Sequence, residues 1–325
     1  MVSQTPLVYR SLRRSDYASY HEVVSLAVGQ FERSTGLDGS SEATIAQLAH
    51  RRTWMALGLL RLFGHPIVDT LVACQDRQVV GTATVLWLPN AAYVAGVATR
   101  PELRGRGIAS HLLSLLAKRA RRHRRGWMVL DVESGNLSAI RVYRSAGYRD
   151  VGTYSWFIGP EAPRAESFPP STVVPVGRAD YGSLIARLEA GRAADYRNAL
   201  PASEAVLGHN EILVREGRVA VSTWKRELPG GGVAVLRAYF VPGVALAAYF
   251  PLFTTPEASP DDFVGLIDAA SEWLAPQHPR RLIAVAPEPR GNATVALEHR
   301  GFSSVASTTA MLARVGSGSS RGSTP

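Results

Sequence analysis

A chain of 325 residues with 46% apolar and 19% charged side chains has a globular composition and length for about two ordinary cores, which excludes disorder throughout. The formal charge of +9 would suit a polyanion, but the excess is almost all arginine, with Lys118 and Lys225 the only lysines. In a chain rich in Ala and Gly that bias is discounted as evidence for nucleic acid. A single cysteine, Cys74, excludes an intramolecular disulfide, and no metal-ligand spacing occurs.

Residues 1–7 lack a basic start followed by an apolar run, so no secretory signal is expected. The longest apolar stretch, 244–253, is interrupted by Pro251 and falls short of the roughly 18 residues of a membrane span, so no membrane role and a cytoplasmic location are expected. Residues 7–13 read as a first strand, after which Ser15 and Asp16 cap a helix carrying Tyr20, Val23 and Val24 on its apolar face. A second helix is expected over 42–63. Strands follow at 68–75, 78–88 and 91–99, the first two joined by a turn at Asp76 and Arg77. A helix from Ile108 to about Arg122, a strand at 127–133, a short helix ended by Gly147 and a strand at 148–158 complete the half. Residues 159–172 hold four prolines and read as a linker. The same order of elements then begins again and runs to about residue 314, before a Gly/Ser-rich tail at 315–325 that is expected to be disordered.

The stretch 97–109 stands out. Val97, Ala98 and Thr99 end a strand, Pro101 turns the chain, and Arg104, Gly105, Arg106 and Gly107 lead into a helix that begins Ile108–Ala109. Two residues without Cβ, next to a helix N-terminus with unpaired N–H groups and the positive end of its dipole, suit a phosphate. A plain glycine turn is the simpler reading, but it explains neither Arg104 nor Arg106. A dinucleotide fingerprint is the rival, since Asp131 follows at a later strand. That motif needs a strand running straight into the first glycine, whereas here residues 100–104 intervene and Ser110 replaces the third glycine.

Arg104-x-x-Gly107-x-Ala109 after an extended segment, together with Asn136-x-x-Ala139-x-x-Val142–Tyr143 ending in Gly147–Tyr148, resembles the GNAT superfamily of acyl-coenzyme A-dependent N-acetyltransferases. The resemblance covers residues 7–158 well and the second half as an echo. It implies an α/β (α+β) protein of two tandem GNAT-like domains, each a mixed, mostly antiparallel sheet flanked by helices. The expected division is a coenzyme-binding domain at 1–158, the linker, and a degenerate domain at 173–314. It further implies acetyl-CoA as cosubstrate, no metal, and an amine acceptor that is a small molecule or a peptide.

By the same resemblance, Val97–Thr99 pair with the pantetheine arm, the backbone of Arg104–Ala109 holds the pyrophosphate, and Asn136 with Ala139 contacts pantetheine. Tyr143 protonates the departing thiolate, a role open to a phenol that stays protonated at neutral pH. A core aromatic beside Leu137 and Ile140 is the plain reading of Tyr143, and an N-cap that of Asn136. For the general base, Glu133 is the first candidate and Asp131 the second, because both alternate onto one face of their strand; solvated strand-end carboxylates would read the same way. Lys118, Arg119, Arg121, Arg122, Arg124 and Arg125 form a basic helix end, either a solvated face or a contact for the coenzyme's 3′-phosphate or an acidic partner. In the second half Leu297 stands at the place of Tyr143 and Arg290 at that of Asn136, and no counterpart of Arg104–Ala109 exists, so that half is expected to lack coenzyme. A non-enzymatic acyl-CoA sensor or protein-interaction module is the alternative function.

Overall fold

The structure is a computed structural model and describes residues 6–35, 68–160, 173–177, 180–190, 194–199, 220–242, 246–252, 258–287 and 291–316. The helix expected over 42–63, the strand expected near 212–215 and Arg290 lie outside them. The described chain divides into two compact units, one holding 6–33, 68–151 and 310–316, the other 34–35 and the described residues of 152–309.

In the first unit the strands run in spatial order β1 (Val8–Ser11), β2 (Val68–Gln75), β3 (Gln78–Trp87), β4 (Ala91–Thr99) and β5 (Trp127–Glu133), followed by the end of β12 (Ser303–Arg314). Pairing is antiparallel from β1 to β4 and parallel between β4 and β5. Alternation along β2 sends Leu71 and Ala73 into one core and Val72 and Cys74 into another, because successive side chains leave opposite faces of a strand. Helix α1 (Tyr17–Thr35) adds Tyr20, Val23 and Val24 to the second of these cores. Helix α2 (Ile108–Arg122) supplies Ile108, Leu112, Leu113, Leu116 and Ala120 to the first, the i, i+4, i+8 spacing of one helical face. Helix α3 (Leu137–Ser145) joins it through Ile140 and Tyr143. Met311 and Ala313 of β12 complete that core.

The second unit repeats this plan with β7 (Val173–Pro175), α4 (Tyr181–Ala190), α5 (Ala194–Ala199), β8 (Ala220–Glu227), β9 (Val233–Val241), β10 (Leu246–Leu252), α6 (Pro260–Leu274), β11 (Arg281–Pro287) and α7 (Asn292–His299). Its parallel pair is β10 with β11. Strand β6 (Arg149–Ile158), the last of the first sequence half, pairs antiparallel with β11 from Tyr154 to Ile158. Phe157, 1% exposed, sits in this unit's core. The units therefore depart from the sequence halves at their final strands. The first compact unit ends in sequence at residue 151, and residues 310–316 belong with it.

The fold is α/β, its sheets mostly antiparallel and flanked by helices. Among the described residues no helix is long and apolar enough to cross a membrane.

Candidate active site

Strands β4 and β5 are in register at only three pairs, Ala91 with Trp127, Ala92 with Met128 and Tyr93 with Val129. Beyond them β4 continues for six residues, and its ladder runs on with β3 alone. A bulge accompanies the parting: the β3 register shifts between Thr82 and Thr84, and Gly96 has φ +57°. Its effect on side chains is direct, since Val94 and Val97, three positions apart, both pack toward the α2-facing core. Ala98 goes to the opposite core with α1. The β5-facing edge of β4, through Val97, Ala98 and Thr99, is thus backbone outside the β5 ladder, able to pair with an extended amide chain.

At the far end of β4, Arg100 donates from Nε to Val79 O at 3.1 Å and from Nη2 to Glu22 at 2.5 Å, fixing the strand end to α1. One 3₁₀ turn, Pro101–Leu103, leads to Arg104, which is exposed and reaches Thr99 O at 3.4 Å. Gly105 and Gly107 adopt left-handed conformations, φ +77° and +75°, and the space at each would-be Cβ is open. These glycines are required by the backbone path, not by close packing. Gly107 is the N-cap of α2. No side chain caps the helix there, and its first turn carries no acid. Ile108 anchors this N-terminus: a Cβ on Gly81 would lie 2.6 Å from Ile108 Cγ2, so the helix start rests on bare β3 backbone.

The second motif lies on α3. Asn136 is its N-cap: its Oδ1 accepts from Ala139 N at 3.1 Å and from Ser138 Oγ at 2.9 Å. Tyr143 is 7% exposed, meets Tyr148 edge-on at 5.8 Å between ring centres, and shares a core with Ile108, Leu130 and Val132. Burial disfavours its phenolate and pushes its pKa up to about 12. The Tyr148 hydroxyl is buried without a hydrogen-bond partner, and burial raises its pKa further still.

Of the two carboxylates, Asp131 has the defined setting. Tyr93 Oη donates to Asp131 Oδ2 at 2.7 Å, spanning the two strands at the point where they part. Asp131 is exposed at the surface yet surrounded by protein atoms. Crowding penalises the charged form and raises its pKa, against the smaller lowering effect of the Tyr93 hydrogen bond. Glu133 shares the face two residues on and is half-buried. Its backbone oxygen closes the turn to Asn136 N at 2.8 Å. Tyr93, the bulge at Gly96 and the Gly81–Ile108 contact are absent from the sequence reading. An isolated glycine inside a strand pattern is the one signal that could have revealed the bulge.

The second unit offers a contrast at each place. The helix following its parallel strand, α6, starts after Ser259, where Asp262 Oδ2 accepts from Ser259 N and Oγ, both at 2.8 Å. Asp261 and Asp262 occupy the first turn, and Asp262 also pairs with Arg226 at 2.9 Å. Its N-terminus therefore already holds carboxylates. The α7 end repeats α3 closely, with Phe302 N bonding Leu297 O at 3.0 Å as Tyr148 N bonds Tyr143 O at 3.0 Å. There Leu297, fully buried, replaces the phenol.

Residues 40–148 match the model of the Acetyltransferase (GNAT) family. A tandem GNAT protein from the clavulanic acid biosynthesis pathway is 17% identical, over 96% of this chain and 100% of its own, with a TM-score of 0.53. A GCN5-related N-acetyltransferase from Sphaerobacter thermophilus is 14% identical, over 96% of each chain, with a TM-score of 0.62. At such identities the likeness is one of fold. Comparison with curated proteins gives no match.

Proposed function

We propose, on the premise that this chain is a GNAT-superfamily acyltransferase, that its first unit moves an acetyl group from acetyl-CoA to an amine by direct attack. The observation that carries the reading is the parting of β4 and β5 after Tyr93 and Val129, which ends beside an uncapped, acid-free helix N-terminus. The residues there fit the coenzyme. The edge of Val97–Thr99 suits the amides of pantetheine. The backbone of Arg104–Ala109, with two open glycines and two arginines, suits a pyrophosphate. The Asn136 oxygen is held by Ala139 and Ser138, which leaves the amide nitrogen as the group to meet pantetheine.

In the reaction the amine nitrogen forms a bond to the thioester carbonyl carbon and the C–S bond breaks. Tyr143 supplies the proton to the sulfur; a pKa near 12 keeps that proton in place across the neutral range. The amine's proton leaves through Asp131, directly or by a water, and the raised pKa of this carboxylate makes it a better acceptor than an ordinary aspartate. Glu133 ranks second, reversing the order its strand position alone suggested. The second unit is assigned no coenzyme: Asp261 and Asp262 would repel phosphate at the start of α6, and Leu297 has no proton to give.

The test is acetyl transfer by the full chain across an amine panel, with Tyr143→Phe alongside. The variant should retain coenzyme affinity by titration calorimetry and lose about a hundredfold in kcat, the scale of general-acid catalysis. Equal turnover would remove Tyr143 from the chemistry, and absent coenzyme binding by the native chain would end the proposal.

A further inference from the structure

Strand β9 carries a buried cation with no counter-charge among the described residues. Arg237 is 5% exposed, and its Nε and Nη1 are buried without hydrogen-bond partners. Directly across the β8–β9 ladder stands Thr223, 2% exposed, whose hydroxyl is also unpartnered. The guanidinium carbon lies 5.1 Å from the centre of the Tyr239 ring, two residues along the same strand face. Among the described residues no ion pair involves Arg237; in the same unit Glu227 pairs with Arg187 and Lys225, Asp262 with Arg226, and Asp268 with Arg300.

This arrangement is costly as a structural element. A guanidinium has five N–H donors and keeps its charge under all ordinary conditions, so taking it out of water without an acceptor is unfavourable. Four and two positions before it, Val233 and Val235 pack with Leu184 and Leu188 of α4, and an apolar residue at 237 would extend that core at no such cost. The first unit handles the matching position differently. There the cross-strand pair Thr70 and Thr84 bond each other at 3.0 Å, leaving no demand for an outside partner.

We propose that Arg237 and Thr223, beside the Tyr239 ring, form a binding site in the second unit for a small molecule bearing a carboxylate. The charge balance selects the class. One desolvated guanidinium is neutralised by one carboxylate, which also accepts from a hydroxyl, whereas a phosphate dianion would leave uncompensated charge in the same place. The adjacent aromatic ring suits an organic anion over an inorganic one. The site is independent of the reaction assigned to the first unit and carries none of its residues.

Titration calorimetry and thermal melting of the full chain test this with acetate, propionate and benzoate, against chloride and inorganic phosphate at matched ionic strength. The expected result is saturable binding and a raised melting temperature with the carboxylates alone. Arg237→Met should fold, because it removes an unpaired buried charge, and should bind roughly tenfold or more weakly. Thr223→Val, which keeps the side chain's shape, should weaken binding by a smaller factor. No response to any carboxylate, an equal response to chloride, a stronger one to phosphate, or unchanged binding by Arg237→Met would each overturn the proposal.

Discussion

The hydroxyl of Tyr93 lowers the Asp131 pKa while crowding raises it, and the two effects can be separated by one atom. Tyr93→Phe removes the lowering contribution, so the carboxyl should protonate at higher pH. If Asp131 is the base, the acid limb of the kcat/KM profile shifts to higher pH, and Asp131→Asn flattens that limb; an unshifted limb in Tyr93→Phe would separate Asp131 from the reaction. A second prediction concerns stability. Burial raises Tyr143 to about 12 and also raises Tyr148 and Tyr20, whereas an unfolded tyrosine titrates near 10. The native state then binds more protons than the unfolded one between these values, so stability is intact below about pH 10 and falls as pH rises toward 12. Melting temperatures across pH 8–11 should drop less steeply in Tyr148→Phe than in the native chain. The placement of Asn136 as N-cap and Tyr143 as a buried residue of one helix was legible because motif spacing names both. Tyr93 was not, because its role depends on which residue of β5 stands where the strands part, and register is not visible in local pattern.

At the scale of elements, the contrast between the uncapped, acid-free start of α2 and the acidic start of α6 is what supports assigning the proposed pyrophosphate site to the first unit. Gly107 adopts φ +75° with open space around it, so Gly107→Ala brings strain without a clash. A cost of about 1 kcal/mol is expected, together with coenzyme affinity reduced about tenfold as the N–H groups turn away. Calorimetric titration of the variant measures this, and unchanged affinity would place the pyrophosphate elsewhere. The helices and strands themselves were readable nearly to the residue: β2, β4, β5 and α2 fall where apolar periodicity, the Asp76–Arg77 turn and Gly107 put them. The six-residue α5 was missed, being too short to show a period. The bulge in β4 was missed because Val94 and Val97 sharing a face breaks the alternation by which strands are recognised.

For the whole molecule, the duplicated order of elements was legible from repeated helix ends such as those before Gly147 and Gly301. The assignment of final strands was not, since any β-rich segment of adequate length reads alike whichever sheet receives it. A truncated chain of residues 1–160 lacks Met311 and Ala313 of the first unit's core, together with the Val315 N–H bond to Gly126 O. It should melt at least 10 °C lower or aggregate, the loss expected from removing the buried Met311 side chain, at about 2 kcal/mol or more, together with the smaller Ala313 and their strand. Joining residues 310–316 to 1–151 through a short Gly/Ser loop should recover most of that loss, as read by thermal denaturation. The same feature fixes a timetable during synthesis. β5 leaves the ribosome early, but its partner leaves only after residues 152–309 have been made, a wait of roughly 10–30 s at ordinary elongation rates. Throughout that interval the outer edge of β5 is an open template for foreign strands, so yield in the cell depends on translation speed and on chaperone cover as well as on the stability of the finished fold.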